Sequence, residues 1–541
     1  MISYKKLACA AFAGTVLHCA LAIGQTTTWR VVAGADGGVP TPDLPNGVGR
    51  AFNDTYLGNA GAEQLGLRVS SPAVSIGYWA RRQGVLKRYM QTGVADATGP
   101  GRTGGESSHV FREITSGWGD VSPDGQRIFV ARAGDPAASL ANASYGLWRW
   151  NGVKNIEVAR TLIDDVLGPG LGAGWAFPNA NDFTNGLSMN AGNVFLDARV
   201  TSPTSATRYL IAKHVPGQGN LPCVLSDATD AALAPGLGGG DSFYPNWNAS
   251  SFAVDSANHV YGRFVTGANR RGYWEICNGA PQAKAVDNET GARGPQVASA
   301  SAYFSTFYGS PVPGTAGAFY FVATGYQISG GASLGGLFRY DNGHNRPIAL
   351  NGDAGAYSPN WQGSTFSTID QSTLSAGGSY ASFEANVNTG GGTARGLWRA
   401  RVGNSPEPVA ILGVIGTYAP EAGRTWSQFE ASAALANGDI VLDARTNPGS
   451  EHAIWLLQPG AVPRRLLVEG QSVSVPTTTT PMQVVVTSFS LPNGNFTGAQ
   501  YSRGVDSWIG ADGTLLVSAN YGALLLMTQA SDVIFRNGYD N

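Results

Sequence analysis

The feature that most constrains the fold is a pattern that recurs eight times along the chain. Each copy begins with a turn containing Gly or Asn, and continues as a short run of β-branched and aromatic residues that ends in small or charged ones. The copies surround Gly61, Gly125, Gly192, Asn258, Gly317, Gly378, Gly438 and Gly513, at an uneven spacing near 60 residues. A repeat of this length indicates an array of similar structural units.

A second pattern follows each copy, as in Gly146-Leu147-Trp148 and Gly396-Leu397-Trp398. A third β-run and a link such as Leu233-Ala234-Pro235-Gly236 complete the unit. Each unit therefore has about four short β-runs separated by turn residues, without a helical period. This organisation is typical of a β-propeller blade. The sequence predicts an all-β propeller with eight blades, or seven if the Gly61 or Gly513 unit is not a full sheet.

The ends of the chain predict how the ring closes. Thr28–Ala33 matches the fourth strand of a blade, whereas the last unit supplies only Leu515–Ser518 and Ala523–Met527 after its turn. Pairing the N-terminal strand with the last blade would cover both open edges. The recurring tryptophans are predicted to pack between blades rather than to stack on sugars; they are Trp79, Trp148, Trp274, Trp398 and Trp455.

Residues 1–24 have the layout of a secretory signal peptide. Two lysines precede an Ala-rich apolar stretch, and a small-x-small cleavage site ends at Gly24. The apolar stretch is short for a membrane span. We therefore expect a secreted protein, periplasmic or extracellular, with no membrane span. Residues 25–527 are expected to form one propeller domain, and residues 528–541 a C-terminal tail of open purpose.

Composition narrows the function classes. Only 13% of the residues are charged and the formal charge is −2, so no electrostatic footprint for nucleic acid is present. Of four cysteines, Cys9 and Cys19 leave with the signal peptide. Cys223 and Cys277 remain in an oxidising compartment, where they form either a structural disulfide between adjacent blades or two separate buried thiols. Neither has Cys or His at zinc-ligand spacing, which disfavours a metal site.

The repeats resemble a family of secreted bacterial tandem-repeat proteins with an N-x-x-G-x-x-A-F motif and a choice of C-terminal anchors. The best matches are residues 190–195 and 436–441, together with Gly396-Leu397-Trp398-Arg399, and the likeness covers most of residues 50–525. Phe is replaced by Val441 and Tyr261 in two copies. The resemblance implies an exported, propeller-like protein and no assigned chemistry. The tail, residues 532–540, is similar to a terminal signature of exported proteins.

One group of residue types could abstract a proton from an acidic polysaccharide, namely His259, Tyr261 and Arg263. The alternative is structural. His259 lies in a turn close to Asp255, and Tyr261 takes the place of the apolar Phe129 and Phe195 of sister copies. The sequence favours a solvated turn histidine and a core tyrosine.

Asp197 and Asp443 occupy the same place in two copies, and Arg199 and Arg445 follow two residues later. Residues at this spacing share one face of a strand. The pattern predicts internal ion pairs or links to a neighbouring blade, and the alternative is a polar ring at one mouth of the central channel.

No cofactor is expected from the sequence. Acidic residues next to Gly-rich links could hold calcium, although no twelve-residue calcium loop is present; they are Asp164, Asp165, Asp227, Asp230 and Asp241. We predict a secreted, monomeric binding or scaffold module for glycan or protein partners. The alternative is an extracellular polysaccharide lyase or hydrolase with its site at the channel mouth, so whether the chain is an enzyme stays open.

Overall fold

The computed structural model describes residues 28–33, 51–57, 65–71, 74–82, 85–116, 126–179, 183, 185–190, 193–244, 252–255, 257–297, 302–327, 334–475, 482–486, 489–490, 515–519 and 523–528. The predicted signal peptide and residues 529–541 of the predicted tail lie outside these ranges. The described chain forms strands, turns and short 3₁₀ turns at Gly104–Glu106, Leu140–Asn142 and Gly291–Arg293, without an α-helix. Accordingly, no helix in the described part of the chain could span a bilayer.

The first strand, β1 (Thr28–Ala33), belongs to the last sheet of the chain. The next sixteen strands form four antiparallel sheets, each built from consecutive strands. Sheet one contains β2 (Ala51–Leu57), β3 (Leu65–Ser71), β4 (Val74–Arg82) and β5 (Val85–Gln91); sheet two, β6 (Val110–Ser116), β7 (Arg127–Gly134), β8 (Ser144–Trp150) and β9 (Asn155–Arg160); sheet three, β10 (Asn185–Asn190), β11 (Asn193–Thr201), β12 (Thr207–Val215) and β13 (Gly219–Leu225); sheet four, β14 (Phe252–Val254), β15 (Val260–Val265), β16 (Arg271–Ile276) and β17 (Gln282–Val286).

The remaining strands form four more sheets and a ribbon. Sheet five contains β18 (Tyr303–Pro313), β19 (Phe319–Gln327), β20 (Leu334–Asp341) and β21 (His344–Leu350); sheet six, β22 (Thr365–Gly377), β23 (Tyr380–Thr389), β24 (Gly392–Arg401) and β25 (Glu407–Ile411); sheet seven, β26 (Thr425–Ala434), β27 (Ile440–Asn447), β28 (Glu451–Leu457) and β29 (Arg464–Val468); the ribbon, β30 (Ser472–Val475) and β31 (Met482–Val485); sheet eight, β32 (Phe489–Ser490), β33 (Leu515–Ala519) and β34 (Ala523–Thr528) with β1.

The two ends of the chain meet in sheet eight, as the sequence predicts. β1 runs antiparallel to β34, with Trp29 opposite Met527 and Val31 opposite Leu525. Sheet eight therefore takes three strands from the C-terminal end and one from the N-terminal end. The units around Gly61 and Gly513 each contribute to a four-stranded sheet.

Neighbouring sheets pack face to face, in the manner of propeller blades. The first strand of each sheet from β10 to β22 contacts the first strand of the next sheet. Hydrophobic clusters join neighbouring sheets in pairs; for example, Phe195 of sheet three packs with Trp274 of sheet four, and Leu397 of sheet six with Trp455 of sheet seven. Because both faces of a sheet are buried, its strands carry nearly continuous apolar runs.

The Gly-Leu-Trp signature is a packing device. A Cβ atom on Gly146 would lie 2.7 Å from Cη2 of Trp148, and one on Gly396 would lie equally close to Cη2 of Trp398. Each indole therefore covers the glycine two residues before it. Both tryptophans are fully buried, which confirms their predicted packing role.

Asparagine side chains fasten three sheets to the sheet before them. Asn155, Asn220 and Asn345 begin or lie near the beginning of fourth strands, and all three are buried. Each donates from Nδ2 to a carbonyl of the preceding sheet, on Tyr89, Val158 and Lys284 respectively. Each also donates to a carbonyl of the link between the two sheets, such as Gly99 or Gly168.

Cys223 and Cys277 join sheets three and four. Cys223 lies on β13 and Cys277 directly follows β16, and their Sγ atoms are 2.06 Å apart. Of the two alternatives that the sequence leaves open, the structure contains the disulfide between adjacent units.

Candidate binding site at the link end of the sheets

The links that join one sheet to the next share one backbone design. A left-handed residue stands third in each; these residues are Gly93, Leu162, Asp227, Asn288, Gly352 and Gly413. Its N–H donates to the carbonyl of the aromatic residue near the start of the next sheet, on Phe111, Phe177, Phe243, Phe304, Phe366 and Trp426 respectively. The six links span residues 91–102, 160–171, 225–237, 286–297, 350–361 and 411–422.

A proline near the end of a link meets the tryptophan of the following sheet. Nε1 of Trp148 donates to the carbonyl of Pro100, and Nε1 of Trp398 donates to that of Pro359. The buried indole N–H is thereby satisfied, and the link is held against the sheet. The two repeat signatures seen in the sequence, the aromatic strand and the Pro-containing link, are therefore parts of one contact.

Three aliphatic side chains on these links are exposed. Leu162 is 76% exposed, Ile415 is 74% exposed and Val166 is also largely exposed. Leu162 has a φ of 63°, in the left-handed region that suits glycine, asparagine and aspartate. The other links carry those three residue types at the same place. An exposed leucine in a strained conformation contributes nothing to the core.

Two of the residues considered for proton abstraction, Tyr261 and His259, have structural roles. Tyr261 is fully buried and packs on Phe319 of sheet five. Burial raises the pKa of its hydroxyl, with a further contribution from Asp255, so this tyrosine is not activated as a base. The predicted core role is correct. The proposed equivalence with Phe129 is wrong by one residue, because Tyr261 and Phe195 pack on the following sheet whereas Phe129 packs on the preceding one.

His259 lies in a turn that is held by hydrogen bonds to a buried aspartate. Its Nδ1 lies 2.9 Å from Oδ2 of buried Asp255. The same carboxylate accepts hydrogen bonds from the backbone N–H groups of Ala257, His259 and Gly317. Gly317 lies in the turn between the first two strands of sheet five, so the aspartate joins two neighbouring turns. This arrangement confirms the sequence interpretation of a turn histidine.

The predicted partners of Asp197 and Asp443 are corrected by the structure. Oδ1 of Asp443 lies 2.6 Å from Nε2 of His452 on the next strand, and Arg445 pairs with Glu430. Asp197 is buried, and among the residues that the structure describes neither of its carboxylate oxygens has a hydrogen-bond partner. Side chains two residues apart share a face, but here the neighbouring strands supply the closer partners.

A third carboxylate at this position was missed by the sequence reasoning. Glu384 stands one residue before Ala385, which lies opposite Gly396. Asp443 likewise stands one residue before Ala444, which lies opposite Ala453 of the corresponding motif. Aligning the residue that precedes this small one in each repeat would have shown Glu384 as the equivalent of Asp197 and Asp443.

Glu384 holds an arginine in place at one end of sheet six. Nε and Nη2 of Arg395 lie 2.9 Å and 2.7 Å from Oε2 of Glu384. Nη2 also lies 3.6 Å from Oδ2 of Asp370. The Glu384 side chain is 3% exposed, and burial raises its pKa even though Arg395 opposes that shift. The result is a fixed guanidinium between two carboxyl groups.

An open cavity of about 310 Å³ lies beside this group. Its lining combines charged, polar and apolar side chains, from Thr368, Ile369, Asp370, Ala385, Asn386 and Arg395. Nδ2 of Asn386 donates to Oγ1 of Thr368. The backbone N–H of Leu412, in the link after sheet six, donates to the carbonyl of Arg395. The cavity thus lies at the same end of the sheets as the links.

The acidic residues considered for calcium are engaged in local structure. Asp164 and Asp165 accept backbone hydrogen bonds from Gly174 and Leu167, and Asp227 pairs with Arg208. Asp230 and Asp241 also accept backbone N–H groups. In the described part of the chain, no three His, Cys, Asp or Glu residues lie close enough together to hold a metal ion.

By sequence, neither a protein family nor an individual curated protein matches the chain. By structure, it is similar to a prolyl endopeptidase at 11% identity and a TM-score of 0.35, over 77% of this chain and 49% of that one. The chain thus spans about half the length of that protein. It is similar to the β-propeller domain of the trilobed protease of Pyrococcus furiosus (7% identity, TM-score 0.29, 91% and 98% covered). It is also similar to the Aleuria aurantia lectin in complex with Fucα1-6GlcNAc (12% identity, TM-score 0.20, 77% and 93% covered). At these identities and TM-scores, the similarities carry no argument about function.

Proposed function

We propose that the chain is an exported binding or scaffold module whose partners are glycans or proteins. In this proposal the eight sheets are the blades of one ring, which the pairing of β1 with β34 closes. The links then form a series of loops with one backbone and different side chains. Loops on a rigid scaffold are the usual carriers of recognition.

Leu162 is the observation that carries the proposal. A left-handed conformation costs a non-glycine residue about 1 kcal/mol or more. Exposure of the same side chain brings no burial energy in return. Ile415 adds a second exposed aliphatic side chain on an equivalent link. Contact with a partner would bury these side chains, which are exposed in the isolated chain.

A pair of double variants tests this proposal. L162N/I415N changes the exposed aliphatic residues of two links, and asparagine already occupies the Leu162 position in the link at Asn288. V153N/V462N is the matched control, because Val153 and Val462 are equally exposed but lie in turns between third and fourth strands. Both variants would be applied to a glycan array and used for affinity capture of proteins from the producing culture.

We expect the partner found with the unaltered protein to bind L162N/I415N at least about ten-fold more weakly, and the control without change. An equal loss in both pairs, or no partner for the unaltered protein in either screen, would contradict the proposal.

A second candidate function is that of an extracellular polysaccharide-degrading enzyme. The observation that favours it is a pair of carboxyl groups on Arg395, of which Asp370 lines the open cavity and Glu384 is buried beside it. A buried acid with a raised pKa beside a second carboxylate is the arrangement that glycoside hydrolysis uses. Release of reducing sugar from a panel of polysaccharides, abolished in E384Q and in D370N, would establish this activity. A bound glycan that is never cleaved would exclude it for that glycan.

Export and family membership are part of the same proposal. We expect cleavage after Gly24, a mature chain beginning at Gln25, and a monomer. The resemblance to the N-x-x-G-x-x-A-F tandem-repeat family rests on the repeat residues alone. Intact-mass measurement of the protein recovered from the culture medium and the periplasm would test the cleavage and the compartment together.

A further inference from the structure

We propose that the cavity on sheet six binds an uncharged saccharide residue, which rests on the proposed binding function. The inference starts from a difference between sister sheets. In sheet two, Glu113 lies opposite Arg132, and the two side chains approach as an ion pair with Nη1 of Arg132 3.7 Å from Oε2 of Glu113. In sheet six, the same rung is Thr368 opposite Asn386.

The shorter side chains of Thr368 and Asn386 leave space for the cavity in sheet six. The guanidinium of Arg132 lies over the ring of Tyr145, 4.6 Å from its centroid, and fills the corresponding region of sheet two. In sheet seven, Arg445 holds the position of Asn386 and pairs with Glu430. In sheet six this rung carries Thr368 and Asn386, whose side chains are shorter than Glu113 and Arg132 of sheet two.

The site is built before any ligand arrives. Glu384 is buried and fixes two nitrogens of Arg395, so the guanidinium cannot rotate freely. The second oxygen of Asp370, Oδ1, accepts from the backbone N–H and the hydroxyl of Ser372, which fixes that carboxylate as well. Fixed polar groups lower the entropy that binding has to overcome.

The charges of the site select against ions. One guanidinium faces two carboxyl groups, so an anion meets Asp370 and a cation meets Arg395. Hydroxyl groups can donate to a carboxylate and accept from a guanidinium at once. Ile369 and Ala385 supply apolar surface for the C–H face of a sugar ring. A polyol with an apolar face, that is, a neutral saccharide, satisfies all these groups.

The size of the cavity fits a small ligand. Ligand pockets generally have volumes of about 300–1,000 Å³, and this one lies at the lower end. The cavity is also open to solvent. Both properties suit the terminal residue of a glycan better than the middle of a polymer.

A transplanted rung is the sharpest test. T368E/N386R places the Glu–Arg pair of sheet two into sheet six and fills the cavity without changing the net charge. T365E/N388R is the matched control, because Thr365 lies opposite Asn388 on a neighbouring rung of the same two strands, outside the cavity lining. Thermal unfolding of both variants verifies that they fold.

The probes are methyl glycosides of common hexoses, pentoses and 6-deoxyhexoses, measured by saturation-transfer NMR and then by calorimetry. Glucuronic acid and glucosamine serve as anionic and cationic counterparts of glucose. We expect at least one neutral glycoside to bind, T368E/N386R to lose about ten-fold or more of that affinity, and T365E/N388R to keep it. We expect each charged sugar to bind more weakly than its neutral parent.

Absence of binding by every neutral glycoside, equal binding by T368E/N386R, or stronger binding of a charged counterpart would overturn this site assignment. The broader proposal is separable from it. A glycan or protein partner that is lost in L162N/I415N but kept in T368E/N386R would support the binding function and reject the cavity as its site.

Discussion

The same position in sheets three, six and seven carries a carboxyl group, and its surroundings differ in each. Asp443 in sheet seven meets His452, which in turn lies 3.5 Å from Glu469. Glu384 in sheet six meets Arg395. Asp197 in sheet three has no hydrogen-bond partner in the described part of the chain, and Tyr209 stands where the other two sheets have a basic residue.

The comparison shows how one repeat scaffold tolerates a buried acid in three ways. All three side chains are on the face that is turned toward the following sheet, and all three residues are buried. Val130 and Val322 hold the same position in sheets two and five. An apolar residue at this position is therefore sufficient for the fold. The acidic residues of sheets three, six and seven are not required for it.

The largest effect is expected in sheet seven. H452L removes the partner of Asp443 and leaves a buried carboxylate without its imidazole. Leaving a buried carboxyl group without one of its hydrogen-bond partners costs about 2–3 kcal/mol of folding free energy. Urea unfolding at pH 7, compared with the unaltered protein, measures it.

The double variant D443V/H452Y is the control, since it gives sheet seven the residues that sheet two has at these positions, Val130 and Tyr145. It should recover most of the lost free energy. If the single and double variants are equally unstable, the pair is not what stabilises this end of sheet seven.

An intermediate effect of opposite sign is expected in sheet three. D197V replaces an unpartnered buried carboxyl with the valine of sheets two and five. Removal of a buried polar group that has no partner should stabilise the fold by about 1–3 kcal/mol near neutral pH.

The pH dependence of that gain has a defined sign. Burial raises the pKa of Asp197 well above its usual range. The folded protein then keeps a proton that the unfolded chain releases, so stability is full below the unfolded pKa and falls as the pH rises. The advantage of D197V should therefore be small at pH 3.5 and grow toward pH 8. A constant difference across this range would show that packing, not ionisation, is responsible.

The strands and their order were open to prediction because their signals are local. Turn residues recur in each unit and a Gly-x-Trp run or a looser version of it follows, and these signals predicted four strands per sheet and the pairing of Thr28–Ala33 with the last sheet. The hydrogen-bond partners of the buried carboxyl groups could not be predicted in this way. Asp443 binds His452 on the adjoining strand, and that diagonal contact depends on the register between strands, which a same-strand spacing such as Asp443 and Arg445 does not reveal.

The cavity was beyond sequence reasoning for a different reason. It exists because Asn386 is shorter than Arg132 and Arg445, and only a strand-by-strand alignment makes these three residues equivalent. Glu384 was within reach, since it lies inside a recognised repeat copy. The burial of Glu384 and its ion pair with Arg395 depend on how sheet six packs against the neighbouring sheet.

The smallest effect is expected in sheet six, where solvent shares the charge. R395M leaves Glu384 without its cation, but Arg395 is 45% exposed, so the loss should be about 1 kcal/mol, less than in sheet seven. Because burial already raises the pKa of Glu384, removal of Arg395 raises it further, and the variant should lose more stability at pH 8 than at pH 4. E384Q/R395M removes both charges and should abolish that pH dependence. Denaturant unfolding of R395M and E384Q/R395M at both pH values measures these differences. If R395M is as unstable as H452L, Arg395 belongs to the structural core of sheet six and not to a solvent-facing cavity.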